Sequence, residues 1–237
     1  MKGVILAGGL GTRLRPLTLI TNKHLLPVYD KPMILYPLET LKRSGVTDIL
    51  IVCGREYAGH FMRFLGSGKD YGVSLSFAVQ DTDNGGIADA LSYAKDFADN
   101  NPIAVVLGDN IIFDDFSSAV KKFKKGAVVF IKRMSNPQRY GVPVFSKSGA
   151  LLKIEEKPKK PKSEFAQIGF FIYDADVFGR IAKQNPSARG ELEITDINNT
   201  YISDGAMAYH LLKGEWFDAG TIESLFAAGA AVRKRQS

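Results

Sequence analysis

Cysteine is nearly absent from this sequence, and so is any long hydrophobic run. The single cysteine, Cys53, follows the apolar residues 49–52, so no disulfide framework can form and Cys53 is predicted to be a small buried hydrophobic residue. No apolar window approaches the length of a membrane span, and the apolar stretch after Lys2 ends at Gly8 and Gly9, too short for a signal peptide. These absences favour a soluble, cytoplasmic protein.

The sequence also lacks the common signatures of metal, nucleophile and nucleic-acid sites. His24, His60 and His210 are not spaced as metal ligands, and no Ser-His-Asp or Cys-His arrangement is recognisable. The net charge is +6, but the basic residues are spread along the chain and no nucleic-acid-binding module is visible. A basic nucleic-acid binder remains an alternative on charge alone, whereas small anionic substrates would explain the same balance.

Apolar runs alternate with helical patterns through the first half of the chain. This alternation predicts an α/β fold in which parallel strands are joined by crossover helices on both faces. The second half is less regular, and we see no repeat, linker or domain boundary, so a single domain over residues 1–237 is expected, with a solvated tail at 233–235. The predicted strands are 2–7, 48–53, 75–79, 103–107, 127–132, 142–145, 151–155 and 167–173, and the predicted helices are 32–44, 57–65, 87–98, 175–183 and 222–232.

A glycine-rich turn follows the first predicted strand. Gly8, Gly9 and Gly11 would let backbone N–H groups approach an anion closely. The turn matches neither common phosphate loop, because Leu14 stands where the dinucleotide fingerprint needs its third glycine and the G-x-x-x-x-G-K-[ST] pattern is missing. Such a turn alone is often structural, but the neighbouring guanidinium of Arg13 suits a triphosphate.

Asp109 and Asp218 are candidate metal ligands. Asp109 follows the apolar strand 103–107, at the edge where open α/β sheets bind ligands, although an aspartate there also suits a turn. Asp218 could cap the helix that begins near Thr221, or supply a second carboxylate. Mg²⁺ is usually held by one or two carboxylates together with substrate phosphates, so the pair is compatible with a magnesium site.

Two lysine-containing segments complete the set of candidates. Residues 23–32 contain Lys23 and Lys31 in a loop, and residues 155–158 place Lys157 after two glutamates. Each segment taken alone favours a plain structural interpretation, as a solvated loop and a polar strand end. They gain weight only beside the glycine turn and the carboxylates.

Together these segments resemble the sugar nucleotidylyltransferases. The matching pieces keep their order and spacing over nearly the whole chain, at residues 8–16, 23–32, 107–110, 140–142, 155–158, 189–196 and 218–221. The resemblance implies a three-layer, Rossmann-like nucleotidyltransferase fold with a central, mostly parallel mixed sheet. Within the family, the chain is most similar to the short form of the members that convert dTTP and glucose 1-phosphate to dTDP-glucose and pyrophosphate.

The resemblance also implies roles for individual residues. The residues implied in nucleotide binding are Leu6, Ala7, Gly8, Gly9, Gly11, Thr12, Arg13, Lys23, Gln80, Gly85 and Gly86. Those implied in sugar-phosphate binding are Asn110, Tyr140, Gly141, Glu156, Lys157 and Arg189. Asp109 and Asp218 would bind Mg²⁺, and the implied catalytic residues are Arg13, Lys23, Asp109, Lys157 and Asp218. The implied partners are a nucleoside triphosphate and a sugar 1-phosphate, with no nucleic acid and no membrane, in a monomer or small homo-oligomer.

Two residues depart from the family pattern. His24 and Asp89 each stand where the family often has glutamine, which leaves the nucleotide and sugar preference open. UTP or another hexose 1-phosphate is one alternative, and a catalytically silent nucleotide-binding relative is another. Retention of the four residues Arg13, Asp109, Lys157 and Asp218 argues against the silent relative. A general base is not needed, because a phosphate monoester with a second pKa near ~6 is already largely ionised.

Overall fold

The structure is a computed structural model that describes residues 1–82 and 84–236 of the chain. Its longer strands arise from apolar runs rich in valine and isoleucine, which pack well on a sheet that is covered on both faces. The strands are β1 (Lys2–Ala7), β2 (Pro27–Val28), β3 (Lys31–Pro32), β4 (Asp48–Gly54), β5 (Ser74–Gln80), β6 (Ile103–Leu107), β7 (Asn110–Ile112), β8 (Ala127–Arg133), β9 (Gly141–Phe145), β10 (Leu151–Glu156), β11 (Phe165–Tyr173), β12 (Met207–Leu211) and β13 (Trp216–Asp218). The helices are α1 (Leu35–Arg43), α2 (Ala58–Leu65), α3 (Gly86–Ser92), α4 (Lys95–Ala98), α5 (Ser117–Lys122), α6 (Asp176–Ile181), α7 (Ile194–Ser203) and α8 (Ile222–Gln236).

A seven-stranded sheet forms the centre of the molecule, with the strand order β12-β8-β11-β6-β1-β4-β5. Neighbouring strands run parallel except at β11, which is antiparallel to both β6 and β8. The predicted mixed, mostly parallel sheet is confirmed. Within the part of the chain that the structure describes, three short ribbons lie outside this sheet and pair β2 with β3, β7 with β13, and β9 with β10.

Helices cover both faces of this sheet. Along β1, Ile5 faces a core shared with α1 and α2, whereas its neighbour Val4 faces a core shared with α3, α6 and α7. This alternation follows from the two-residue period of a strand and yields the predicted three layers. Cys53 is fully buried in the first of these cores, as the sequence predicts, and burial raises the pKa of its thiol to about 11.

Several elements differ from the sequence predictions. The first helix begins at Leu35 rather than at residue 32, because Pro32 lies in β3 and Pro37 then falls in the first helical turn, where proline is tolerated. The predicted helix 87–98 is divided into α3 and α4, with a tighter turn in which the Ala94 N–H donates to the Leu91 carbonyl. The sequence patterns did not predict β2, β3, β7, β12, β13, α5 and α7.

The last helix is longer than predicted. It continues to Gln236, so the expected solvated tail is helical, and the Arg235 guanidinium lies 4.0 Å from the ring centre of Phe113. The same side chain pairs with Glu215 at 3.0 Å, which fixes the end of α8 against the loop before β13. None of the helices within residues 1–82 and 84–236 is both long enough and apolar enough to cross a membrane.

Candidate active site

The carboxyl ends of β1, β5 and β6 open into one large cavity of about 410 Å³. This volume lies within the range of small-molecule sites, and the position is where open α/β sheets bind their ligands. The β9–β10 ribbon and β13 also contribute to the cavity wall. Most of the predicted site residues therefore meet around one space.

The glycine turn after β1 forms one side of the cavity. Gly9 and Gly11 have φ angles of 90° and 61°, which other residues rarely adopt. Leu6, Gly8, Gly9 and Arg13 line the cavity, whereas Ala7, Gly11 and Thr12 shape the turn without lining it. At Gly11 a side chain would approach a carbon of Thr18 to 2.9 Å, so this glycine is required by packing.

The two predicted metal ligands are brought together by the β7–β13 ribbon. Asn110 pairs with Asp218 in this ribbon, and the Ala219 N–H donates to the Asp109 carbonyl at 2.9 Å. Asp218 lies in the strand and precedes the first turn of α8, whose N-terminal hydrogen bonds involve Thr221 and Ser224 instead. The capping alternative for Asp218 is therefore excluded, and its carboxylate lies in the cavity wall with that of Asp109.

Asp109 is held in an ion pair with Lys23. The Lys23 ammonium lies 2.6 Å from Asp109 Oδ2, and both side chains are largely buried. Burial alone would raise the pKa of Asp109, but the charge and hydrogen bond of Lys23 outweigh it and hold that pKa well below its usual range. Asp109 is therefore a carboxylate under all ordinary conditions.

Asp218 has the opposite electrostatic character. Burial, followed by repulsion from Asp109, raises its pKa from 3.8 to about 6. Two adjacent carboxylates that repel each other form a site that a divalent cation would stabilise. Among the side chains that the structure describes, no three His, Cys, Asp or Glu residues cluster as metal ligands. A cation here would thus be held by two carboxylates and by substrate phosphates, which is the arrangement typical of Mg²⁺.

His24 lines the cavity beside Lys23 and Asp109. Its Nδ1 is 2.7 Å from Asn22 Oδ1, and burial, followed by the nearby charge of Lys23, lowers its pKa to about 3, so the ring is neutral. A side chain at Gly108 would lie 2.6 Å from His24 Cδ2. The ring thus supports the backbone that carries Asp109, and this is the structural role of the first departure from the family pattern.

Gln80 and Gly86 line the end of the cavity beside β5. Gln80 Nε2 donates to Asp89 Oδ2 at 2.7 Å, so the second departure from the family pattern contacts the residue expected to bind the base. Gly86 has a φ of 89°, and a side chain there would lie 2.5 Å from the Leu192 carbonyl oxygen. Gly85 does not line the cavity and packs on Asp89 instead.

Glu156 and Lys157 form another part of the cavity wall. Glu156 Oε2 accepts a hydrogen bond of 2.6 Å from the Thr195 hydroxyl, which fixes the carboxylate. Lys157 follows β10 with a φ of 42°, a strained angle for a residue with a side chain, and half of its side chain is exposed. Its ammonium is free to turn towards the cavity, since its nearest ion-pair oxygen, in Glu156, is 3.4 Å away.

Tyr140, Asn110 and Trp216 pack together beside the carboxylates. The rings of Tyr140 and Trp216 are 5.0 Å apart in an edge contact. Asn110 Oδ1 accepts from Trp216 Nε1 at 2.6 Å and from the Gly169 N–H, while its amide nitrogen donates to Asp109. Asn110 therefore orients Asp109 and keeps one N–H for a ligand.

Arg189 is the one predicted sugar-phosphate residue that does not line the cavity. Its guanidinium donates to Glu193 Oε1 at 2.7 Å and lies 3.5 Å from Glu156 Oε1. Its contact with substrate stays a prediction. Gly141, by contrast, lines the cavity at the start of β9.

Several residues of the cavity wall had no role predicted from the sequence, among them Arg139, Thr195 and Trp216. Thr195 lies within residues 189–196, and Trp216 lies two residues before residues 218–221, which are both segments of the family resemblance. This proximity was the feature of the sequence that could have identified them. Arg139 immediately precedes Tyr140 and adds a third cation near Asp218. Its only signal was that adjacency.

The chain is similar over nearly its whole length to known proteins and solved structures. A profile of the family described as nucleotidyl transferase matches residues 2–235. Glucose-1-phosphate thymidylyltransferases of Neisseria meningitidis and of an Actinoplanes strain are each 44% identical to this chain, over 100% and 98% of it and over 84% and 78% of their own lengths. A Bacillus anthracis structure assigned to the same activity has a TM-score of 0.93 and 49% identity, covering 98% of this chain and 95% of its own. A UDP-glucose pyrophosphorylase solved with UDP-glucose has a TM-score of 0.85 and 25% identity, covering 99% and 98%.

Proposed function

The chain belongs to the nucleotidyl transferase family, and from that premise we propose that it transfers the thymidylyl group of dTTP to glucose 1-phosphate, forming dTDP-glucose and pyrophosphate. One observation carries this proposal: Asp109 and Asp218 meet Lys23 beside a glycine turn that bears Arg13, at the carboxyl edge of the sheet. This is a place where a triphosphate and a metal ion can be held together. The proposed choice of substrates is supported by the names of the relatives that match the whole chain.

Nucleotidyltransferases of this type generally use a divalent metal ion. We infer that the ion is Mg²⁺ and that Asp109 and Asp218 hold it, because a pair of carboxylates beside a phosphate site suits that ion. When bound, the ion would neutralise charge on the triphosphate and its leaving group. Lys23, which pairs with Asp109 at 2.6 Å, lies where its ammonium could turn to the triphosphate.

The remaining residues position the two substrates. Arg13 and Lys23 hold the triphosphate, and Lys157 contacts both the sugar phosphate and the α-phosphate. An oxygen of the sugar phosphate forms the new bond to the α-phosphorus, while the bond to the bridging oxygen of the leaving pyrophosphate breaks. Because the attacking oxygen is already ionised, catalysis rests on position and on charge neutralisation.

The sugar is proposed to lie between the β9–β10 ribbon and β13. The Glu156 carboxylate, fixed by Thr195, can accept hydrogen bonds from sugar hydroxyls, and Tyr140 covers the other side. Gly141, Asn110 and Arg189 complete the proposed sugar-phosphate set. We also infer one domain over residues 1–237, supported by a sheet that takes strands from both halves of the chain.

Nucleotide preference provides the direct test. We expect dTTP to be the best substrate and UTP to be accepted, because the Gln80 amide can pair with both O4 and N3–H of thymine or uracil. Purine nucleotides are expected to be poor because their ring system is larger. The preference for dTTP over UTP should be modest, since a 5-methyl contact contributes only ~1 kcal/mol. The measurement is pyrophosphate release from each common triphosphate with glucose 1-phosphate.

Two outcomes would change this proposal in different ways. A purine or cytidine nucleotide in first place would refute the thymidylyl assignment and keep the reaction class. If no triphosphate releases pyrophosphate although dTTP binds, the chain is the silent nucleotide-binding relative. Replacing glucose 1-phosphate with other hexose 1-phosphates in the same assay tests the sugar.

A further inference from the structure

The side-chain amide of Gln80 is held in one orientation by Asp89. Asp89 Oδ2 lies 2.7 Å from Gln80 Nε2 and 2.5 Å from the Thr82 hydroxyl. A carboxylate only accepts hydrogen bonds, so the amide nitrogen of Gln80, and not its oxygen, must face Asp89. The orientation is therefore fixed by chemistry.

This orientation places the amide oxygen on the cavity side. Gln80 Oε1 lies against Gly8, where a built Cβ would be 2.5 Å from it, and both residues line the cavity. Gln80 is almost completely buried, so its amide cannot easily exchange its hydrogen bonds for bonds to water. An acceptor is thus presented beside the glycine turn, with the second N–H of the amide next to it.

Asp89 itself does not line the cavity. Its partly buried carboxylate lies beside Gln80, Thr82 and Gly85, and a Cβ on Gly85 would lie 2.0 Å from Asp89 Oδ2. Gly85 adopts an ordinary helical φ of −68°, so its lack of a side chain serves to make room for this carboxylate. Direct recognition of an amino-bearing base by Asp89 is therefore not supported.

We propose that Asp89 is a positioning residue which sets the base specificity of the nucleotide site, by fixing Gln80 so that its oxygen accepts from a ring N–H. This inference rests on the proposed function and deepens it. Thymine and uracil carry a hydrogen on N3 beside the O4 acceptor, which matches the presented amide oxygen and N–H. Cytosine carries a bare N3 beside an amino group, so its pattern is reversed and two acceptors would face each other.

Asp89→Asn tests this inference because asparagine keeps the size of the side chain and can donate as well as accept. Gln80 could then adopt either orientation. We expect the ratio of kcat/KM for dTTP to that for dCTP to fall about tenfold. The change should lie in the nucleotide KM, with kcat for dTTP within about threefold of the wild type. A merely structural defect would instead lower the rates with both nucleotides together.

A second variant displaces the Asp89 carboxylate without changing the Asp89 side chain itself. Gly85→Ala keeps every hydrogen-bonding group and a tolerated backbone angle but displaces the carboxylate, so the same fall in the dTTP to dCTP ratio is expected. Thr82→Val is the matched control, because it removes the other donor to the same oxygen and leaves the bond to Gln80. Its ratio should stay within about twofold of the wild type.

The outcomes separate this inference from the proposed function. If wild-type protein prefers dTTP and both Asp89→Asn and Gly85→Ala keep the wild-type ratio, the role of Asp89 is refuted and the activity stands. The role of Asp89 is refuted equally if Asp89→Asn does not fold and Gly85→Ala keeps the ratio. If wild-type protein turns over neither nucleotide, the proposed function fails, and this inference fails with it.

Discussion

Replacing Asp109 or Asp218 with asparagine is expected to lower turnover about 10³-fold at saturating Mg²⁺ and substrates. Each change removes a negative charge that faces the proposed cation while keeping the shape of the side chain. The measurement is pyrophosphate release from dTTP and glucose 1-phosphate, with chelator-treated wild-type protein as the reference for complete metal loss. A variant that keeps near-wild-type rates would exclude its residue as a metal ligand.

Thermal unfolding of the same variants supplies an independent control. The pKa of Asp218 is raised to about 6, so above pH 6 its ionised form destabilises the metal-free folded protein, and Asp218→Asn should raise Tm there by a few degrees. The gain should shrink as the pH falls from 6 towards 4, because the wild-type carboxyl then takes up a proton. Asp109→Asn also removes the repulsion, but it breaks the 2.6 Å ion pair with Lys23 and should be the less stable of the two.

If Asp218→Asn destabilises the metal-free protein at pH 8, burial and the charge of Asp109 do not raise the pKa of Asp218 in the way that the structure indicates. A variant that is more stable and nearly inactive would show that this position is kept for function at the expense of stability. That combination distinguishes loss of a metal ligand from damage to the fold.

The two carboxylates differ in how well the sequence alone predicts their position in the site. Asp109 could be placed in the site because it follows a strongly apolar strand, whose end marks the ligand-binding edge of a parallel sheet. Asp218 could be placed only through the family resemblance. It reaches Asp109 through β7 and β13, which have three residues each and are too short to show a hydrophobic period.

The missed helix α7 has a different cause. Asn198 lies in its middle and is fully buried, with hydrogen bonds to Tyr173 and Gln167 of β11. A polar residue in the core interrupts the apolar pattern from which helices are recognised, and its partners lie on a strand far away in sequence. The contact between Gln80 and Asp89 could not be predicted from the sequence either, because it depends on how the chain turns between β5 and α3.

Lys157→Ala is expected to lower turnover roughly 10²–10³-fold, the loss typical of one preorganised electrostatic contact, and to raise KM for glucose 1-phosphate. Lys157 lies at the cavity wall and its ammonium is a long 3.4 Å from Glu156, so the ammonium can turn to the phosphates of both substrates. Steady-state kinetics with each substrate varied in turn provides the measurement. Lys159→Ala is the matched control, because this lysine lies two residues on, is exposed, and does not line the cavity.

The backbone at this position makes a second comparison decisive. Lys157 has a φ of 42°, which costs about 1 kcal/mol or more for a residue with a Cβ and little for glycine. Lys157→Gly should therefore have a higher Tm than Lys157→Ala, yet show the same loss of turnover. That result would show that Lys157 is kept at a strained backbone angle because its side chain contacts the substrates. If Lys157→Ala has wild-type rates, the segment after β10 is structural, and the proposed position of the sugar phosphate is wrong.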